Sequence, residues 1–246
     1  MANWVLRSLI EGFRSEPELT AGQPLPAGAS AGRPQSQPLA APDATRLAAL
    51  CPSGAIVAGE DRVEVNFARC VHCQRCRRSD HDLRWREDVQ WGAWRHSTSK
   101  SLPRRFRRSV HVRYLDAGAC GACMGELRLI DAPPYNLHRY GIFITATPRD
   151  ADVLLVGGPV SEAMRLPLRK AYEAMPEPKR VVAMGICAIN GGVFGRSFAS
   201  VGGVEEVIPV DLVIPGCPPP PLAIVHGLLL ASGQSQTLAA DEAPES

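Results

Sequence analysis

The sequence has no run of about eighteen uncharged apolar residues, so it contains no candidate transmembrane helix. Its first residues lack a charged n-region followed by an apolar stretch and a small-residue cleavage site, and we therefore expect no secretion. A net charge of only +2 argues against a nucleic-acid role. No Ser–His–Asp or phosphate-loop arrangement is present. An apolar content of 45% in 246 residues is sufficient for the core of one large or two modest domains.

The eight cysteines are spaced in a way that argues against disulfides. Cys70, Cys73 and Cys76 follow one another at intervals of three residues, and Cys120 and Cys123 repeat that interval. Tight C-x2-C spacing is typical of metal centres, whereas a disulfide framework belongs to small secreted chains. We therefore expect a metal-loaded protein in the reducing cytoplasm.

In the C-terminal half, every cysteine directly follows a short apolar run that predicts a β-strand. The runs and the cysteines that follow them are His111–Leu115 with Cys120 and Cys123, Val181–Met184 with Cys187, and Val210–Ile214 with Cys217. Ligands of an open parallel α/β sheet gather beyond the carboxyl ends of its strands. The four thiolates are therefore predicted to meet around one centre, either a [4Fe–4S] cluster or a structural zinc. Buried core cysteines, the alternative, would not each stand beside Gly or Pro just past a strand.

The N-terminal cysteines retain part of a ferredoxin pattern. Two-cluster bacterial ferredoxins use C-x2-C-x2-C-x3-C-P twice, and the last Cys of each run ligates the other cluster. Here the first run keeps only its Cys-Pro, and the second keeps three cysteines with Asp80 at its fourth position. The surviving residues are the four ligands of one cluster, which predicts a single [4Fe–4S] site, with zinc as the alternative. The ligands of this site are Cys51, Cys70, Cys73 and Cys76. Because four thiolates complete the shell, His72 is expected outside it.

The pattern of periodic and aperiodic segments divides the chain. Residues 2–14 are predicted to form an amphipathic helix that lies on a membrane surface, on a partner or in the core. Residues 17–43 are predicted to form a linker. We expect a small ferredoxin-like α+β domain over 44–100, a basic linker over 101–109, an α/β domain over 110–235 and a disordered tail over 236–246. In the α/β domain the predicted strands are 110–115, 141–146, 152–157, 180–185 and 207–214, and the predicted helices are 123–131, 161–175 and 220–232. The Arg- and Trp-rich stretch 77–113 favours an interdomain or partner-facing segment over RNA binding.

The N-terminal part, with its opening Asn3-Trp-Val-Leu-Arg-Ser-Leu, resembles the ferredoxin-like subunit of formate hydrogenlyase and of complex I. The second cluster of that subunit is missing here.

The ordered motifs from Cys120-Gly-Ala-Cys123 through Gly185-Ile-Cys187-Ala-Ile-Asn-Gly-Gly to Ile214-Pro-Gly-Cys217-Pro-Pro resemble a second family. It is shared by the small subunit of [NiFe] hydrogenases and the complex I subunit that holds the terminal cluster. The complex I subunit has two adjacent cysteines in the first motif, whereas this chain has C-x2-C. It therefore looks like the small subunit of a membrane-bound, group 4 hydrogenase of the formate hydrogenlyase or hydrogenase-4 type.

This resemblance implies a flavodoxin-like fold in which Cys120, Cys123, Cys187 and Cys217 ligate the cluster nearest a nickel–iron site in a separate large subunit. Glu126 matches a family carboxylate that could pass protons, although a Glu in the first helical turn is also favoured by the helix dipole. Many group 4 relatives carry an acid where this chain has Met124. Asn190, Gly191 and Gly192 are expected to shape the cluster loop, and His111, His138 and His226 to be surface or packing residues.

The sequence thus predicts a relay with two [4Fe–4S] clusters between a ferredoxin-like or formate-oxidising partner and the large subunit. The complex would include membrane-arm subunits and lie on the cytoplasmic face of the inner membrane. One alternative is the equivalent relay of a nickel-free, complex I-like quinone-reducing or other respiratory oxidoreductase. Another is a zinc-stabilised assembly protein without a redox role.

Overall fold

The computed structural model describes residues 28–78, 83–95, 109–133 and 135–234. The helix predicted over 2–14, nearly all of the basic linker over 101–109 and the tail over 236–246 lie outside these ranges.

The N-terminal part is built from short elements around a small core. Its elements are β1 (Arg33–Pro34), β2 (Gln37–Pro38), α1 (Ala41–Leu50), β3 (Ile56–Ala58), β4 (Arg62–Val65), β5 (Trp85–Arg86) and β6 (Ala93–Trp94). Strands β2, β4 and β3 form an antiparallel sheet in that order, and β1 pairs with β5. Helix α1 buries Ala44 and Leu47 against Ile56 and Val63 of this sheet. The described end of the predicted linker thus contributes β1, β2 and the start of α1, and the ferredoxin-like assignment stays a prediction.

The C-terminal part alternates strands and helices. Its elements are β7 (Val110–Asp116), α2 (Ala122–Leu129), β8 (Ile142–Ile144), β9 (Val153–Gly157), β10 (Val160–Ser161), α3 (Glu162–Ala174), β11 (Arg180–Met184), α4 (Ile186–Asn190), β12 (Ser200–Gly202), β13 (Leu212–Ile214) and α5 (Pro221–Ser232). The central sheet has the order β6-β13-β11-β9-β7-β8. All of its neighbouring strands are parallel except β6, which joins the edge antiparallel to β13.

The central strands are continuous apolar runs because both faces of the sheet are covered. On one face, Leu155 of β9 packs in a core with α2 and α5, while Leu154 packs on the other face with α3 and α4. Ala68 of the N-terminal part belongs to this second core, so the two parts of the chain are packed together. Within the described ranges, no helix is long and apolar enough to cross a membrane.

The predicted α/β class with a mostly parallel sheet is confirmed. All five predicted strands and all three predicted helices are present, with ends shifted by up to a few residues. The largest change is in the strand predicted over 207–214, which is shortened to Leu212–Ile214 because residues 207–211, which follow a 3₁₀ turn over Val204–Glu206, form a turn and irregular backbone.

Candidate metal centres

The sheet brings four C-terminal cysteines to one edge. Cys120 and Cys123 stand at the start of α2 after β7, Cys187 lies in α4 after β11, and Cys217 follows β13. Because these strands run parallel, their carboxyl ends lie at the same edge of the sheet. Burial, followed in order of size by the charges of Cys187, Cys217 and Cys120, raises the pKa of the Cys123 thiol to about 12. The four thiols predicted to converge are therefore close enough to influence one another's ionisation.

The turn before Cys120 is held by a carboxylate. Asp116 at the end of β7 accepts hydrogen bonds from the N–H groups of Gly118 (2.9 Å) and Ala119 (2.7 Å). Gly158 lies so near this turn that a Cβ on it would overlap the backbone nitrogen of Ala119. The turn that presents Cys120 is thus fixed by a side chain and by a close backbone approach.

Two glycines keep space open beside the thiols. A Cβ at Gly185 would lie 2.7 Å from the sulfur of Cys123, and a Cβ at Gly192 would lie 2.7 Å from the sulfur of Cys187. Both have positive φ, at +83° and +57°. The N–H of Gly192 also donates to the side-chain oxygen of Asn190 at 3.0 Å. In the loop predicted to shape the site, Gly192 thus lies against Cys187 and is held by the side chain of Asn190.

Tyr114 is a site residue that sequence reasoning missed. Its hydroxyl oxygen is buried and has no hydrogen-bond partner among the described residues. Burial raises the pKa of Tyr114, and the neighbouring charges of Asp116, Cys123 and Cys120 add to this effect. A buried O–H donor beside the cysteine pair is suited to a sulfur-rich group, which would accept its hydrogen bond.

Glu126 and the three histidines named in the sequence analysis differ in burial and in their neighbours. Glu126 is half-buried on α2, and burial raises the pKa of its carboxyl. His111 and His138 are about half exposed and stand beside Asp152 and Asp131. His226 is buried, and its Nδ1 accepts a hydrogen bond from the N–H of Gly92 at 3.3 Å.

The four N-terminal cysteines line one pocket. Its wall includes Cys51, Cys70, Cys73 and Cys76, together with Trp85. The pKa of Cys70 is raised to about 12, chiefly by burial; a backbone hydrogen bond at His72 opposes this rise, and the other three thiols contribute to it.

Two hydrogen-bonding features of this pocket fit a sulfur-containing group. Burial alone would raise the pKa of Cys51, but hydrogen bonds from Ser53 and from backbone groups lower it overall. One of these is donated to the Cys51 sulfur by the N–H of Ala55 at 3.2 Å. The indole N–H of Trp85 is buried without a hydrogen-bond partner among the described residues. His72 does not line the pocket, since its ring stacks on Trp91 with the ring centres 5.3 Å apart.

At both candidate sites the side chains available to bind a metal are thiols, which are ligands of both iron–sulfur clusters and structural zinc. Within the described ranges, no group of three or more His, Cys, Asp or Glu side chains is arranged to hold a single metal ion.

The geometry defines an α/β protein with four cysteines beyond its strand ends, and the comparisons with known proteins identify its family. The chain matches the family described as "NADH ubiquinone oxidoreductase, 20 Kd subunit" over residues 120–231, a range that contains all four C-terminal cysteines. The uncharacterized protein MJ0516 of Methanocaldococcus jannaschii is 48% identical over 123 residues, which are 50% of this chain and 82% of that protein. The chain therefore belongs to this family of oxidoreductase subunits, which confirms the family predicted from the ordered motifs.

Two further relatives carry functional names. Formate hydrogenlyase subunit 7 of Escherichia coli is 38% identical over 137 residues, covering 56% of this chain and 54% of that subunit. This chain thus spans about half the length of that relative. A chain of the membrane-bound sulfane sulfur reductase, an archaeal respiratory membrane complex, has 30% identity and a TM-score of 0.47, covering 53% of this chain and 72% of its own length.

Proposed function

We propose that this chain is the electron-transfer subunit of a membrane-bound, formate hydrogenlyase-like [NiFe] hydrogenase. Two [4Fe–4S] clusters would supply one-electron transfer, the C-terminal one held by Cys120, Cys123, Cys187 and Cys217. The observation that carries the proposal is the convergence of these four thiols, from three strand ends, in the segment that matches the family. The glycines beside Cys123 and Cys187 and the unpartnered hydroxyl of Tyr114 support a sulfur-rich occupant.

The N-terminal cluster would be held by Cys51, Cys70, Cys73 and Cys76. Their shared pocket, the N–H donor at Cys51 and the buried indole N–H in the wall support this ligand set. The ligand set itself follows from the two-cluster ferredoxin pattern, of which this chain keeps the four residues that serve one cluster.

A hydrogen bond between segments beside the two candidate sites supports a relay between them. The side-chain N–H of Asn190, three residues after Cys187, donates to the carbonyl oxygen of Ala68 at 3.0 Å. Ala68 is two residues before Cys70, whose own N–H bonds to the carbonyl of Phe67. The segments that carry one cysteine of each site are therefore in contact through the protein core.

The partners follow from the same proposal. A large subunit would hold the nickel ligands, because this chain has no second pair of C-x2-C motifs to supply them. Membrane-arm subunits would place the chain at the cytoplasmic face of the inner membrane, and a ferredoxin-like or formate-oxidising partner would exchange electrons with the N-terminal site. Half-buried Glu126 would pass protons near the large subunit, with Met124 in place of the acid that many group 4 relatives carry.

A second candidate is the equivalent relay of a nickel-free, complex I-like oxidoreductase. The description of the matched family favours it, because that description names a subunit of NADH ubiquinone oxidoreductase. The C-x2-C spacing of the first motif favours the hydrogenase. Nickel in a co-purifying subunit would decide between them.

The test is anaerobic purification of the chain with its natural partners, followed by iron, nickel and zinc analysis. We expect about eight irons per chain, from two four-iron clusters, and nickel in the large subunit. Cys120→Ser should retain about four irons and the spectrum of the N-terminal cluster, while the neighbouring exposed substitution Ala122→Ser should leave the iron unchanged. Unchanged iron in Cys120→Ser would refute the ligand assignment, and zinc in place of iron would refute the relay.

A further inference from the structure

The N-terminal pocket opens to solvent at one cysteine. Cys70 is buried, Cys51 and Cys76 are half-buried, and Cys73 is exposed. Since Cys73 also lines the pocket, an occupant of the pocket has its nearest contact with the outside at this residue. A redox partner that approaches the N-terminal site through solvent would therefore meet Cys73 first.

The segment that carries three of the four pocket cysteines is rich in arginine, and Arg75 lines the pocket itself. Between residues 69 and 86 the chain has six Arg and two Asp. Four of the arginines are exposed and have no ion pair with a described residue; we call them the arginine collar, and they are Arg69, Arg75, Arg78 and Arg84. The other two are partly neutralised, since Arg77 pairs with Glu87 at 3.3 Å and Arg86 with Asp88 at 2.8 Å. Among the residues that the structure describes, no carboxylate therefore pairs with the positive charge of the collar.

The surface at the other site is of a different kind. The loop after α4, which begins four residues beyond Cys187, exposes Val193, Phe194 and Phe198, the last with 97% of its surface accessible. Large apolar side chains are typical of permanent subunit interfaces, whereas complementary charge raises association rates and is lost by screening in salt. The apolar loop after α4 is therefore suited to a permanent partner, and the arginine collar to a partner that binds and leaves.

We propose that the arginine collar is the docking surface for a separate, acidic electron-carrier protein that exchanges electrons at Cys73. This inference rests on the proposed relay function and adds the chemistry of its partner. In the exchange, one electron leaves the reduced carrier for the oxidised N-terminal cluster; the carrier is oxidised, the cluster is reduced, and no bond is made or broken. The same docking serves the reverse transfer. Acidic groups on the carrier would be steered to the collar over about 10 Å at low ionic strength.

The experiment measures reduction of the N-terminal cluster by rapid mixing of the whole, anaerobically purified complex with a reduced acidic ferredoxin. Reduced methyl viologen, a small cation that needs no protein docking, serves as the second reductant. The test variant is Arg69→Glu with Arg78→Glu. The matched control is Arg169→Glu, an exposed arginine on α3 in the other part of the chain.

We expect the ferredoxin rate constant of the wild type to fall steeply between low and high salt. In the double variant it should be at least about tenfold lower at low salt, with little further salt dependence. Arg69→Gln with Arg78→Gln should fall between the two, and Arg169→Glu should match the wild type. Methyl viologen should reduce the cluster in all of these proteins.

Three results would overturn the docking surface. The first is a ferredoxin rate in the double variant equal to that of the wild type, and the second is a wild-type rate that salt does not change. The third is loss of a tightly bound subunit from the purified double variant, which would make the collar a permanent interface. Absence of a reducible cluster in the wild type with either reductant would instead refute the proposed relay. Iron content of each variant shows that a slower rate is not caused by a lost cluster.

Discussion

Gly192 offers a sharp test of the C-terminal site, because a nearby glycine has the same backbone conformation without the same surroundings. Gly192 has φ +57° and Gly195 has φ +59°. A Cβ at Gly192 would lie 2.7 Å from the sulfur and 3.1 Å from the Cα of Cys187, whereas a Cβ at Gly195 would meet nothing within 4 Å. Gly192→Ala and Gly195→Ala therefore share the backbone strain and differ in the contact with Cys187.

The shared strain has a modest effect on stability. A non-glycine residue in the left-handed region costs about 1–2 kcal/mol, and each kcal/mol lowers the Tm of a chain of this size by roughly 2–4 °C. The contact at Gly192 adds a displacement. To move from 2.7 Å to an ordinary contact of 3.4 Å, the Cys187 sulfur must retreat by 0.7 Å. Such a shift exceeds the tolerance of about 0.5 Å within which a functional group must be held.

We therefore expect both variants to fold with similarly lowered Tm values, but only Gly192→Ala to lose the C-terminal cluster. Iron should drop from about eight to about four per chain in Gly192→Ala and stay near eight in Gly195→Ala. The assay is iron analysis with electron paramagnetic resonance of the reduced proteins, alongside thermal unfolding. Equal iron in the two variants, whether retained or lost, would contradict the role of Gly192 in keeping space beside Cys187.

Three further predictions concern buried groups. Tyr114→Phe removes the unpartnered hydroxyl donor beside the cysteine pair. If that hydrogen bond stabilises the reduced cluster by about 1 kcal/mol, its loss should lower the midpoint potential of the C-terminal cluster by roughly 40 mV. A redox titration measures this shift, and the iron content should be unchanged. Burial lowers the pKa of His226 to about 4, below the value of about 6.5 in the unfolded chain. Between these two pH values the unfolded state binds a proton more readily than the folded state. Stability is therefore lost as the pH falls through that window. The loss should reach about 3 kcal/mol and be absent in His226→Gln, by denaturant unfolding at a series of pH values. Leu155→Ala, in a fully buried position of β9, should cost about 2–5 kcal/mol of unfolding free energy while iron per folded chain stays unchanged.

The strand ends and the cysteines that follow them could be predicted because their signals are local. A continuous apolar run next to a Gly or Pro and a cysteine needs only a few residues to be recognised, as at Val181–Met184 with Cys187. The parallel arrangement of those strands then follows from the alternation with helices, and it places the thiols at one edge.

The missed features depend on partners distant in the chain. Strand β6 has only two residues, and it becomes a strand because β13, more than a hundred residues later, offers a free sheet edge. Strands β1 and β2 each contain a proline and sit at sheet edges, where a missing N–H is tolerated, so the composition of 17–43 resembled a linker. The buried hydroxyl of Tyr114 has no signature of its own, because the residue occupies an ordinary strand position. Long-range pairing and unpaired polar atoms cannot be read from local periodicity.

The N-terminal part of the chain buries some of its apolar side chains against the sheet domain. Ala68 lies in the core of the central sheet, and Trp91 packs with Cys70 and with Ala223 of α5. A small domain with one short helix and strands of two to four residues buries little apolar surface by itself, and such domains usually need a metal or a partner for stability. Here the sheet domain supplies part of that burial at the residues next to Cys70. Cys70 is therefore packed by both parts of the chain, and we expect a loss of packing at Ala223 to reach a thiol more than 150 residues away in the sequence.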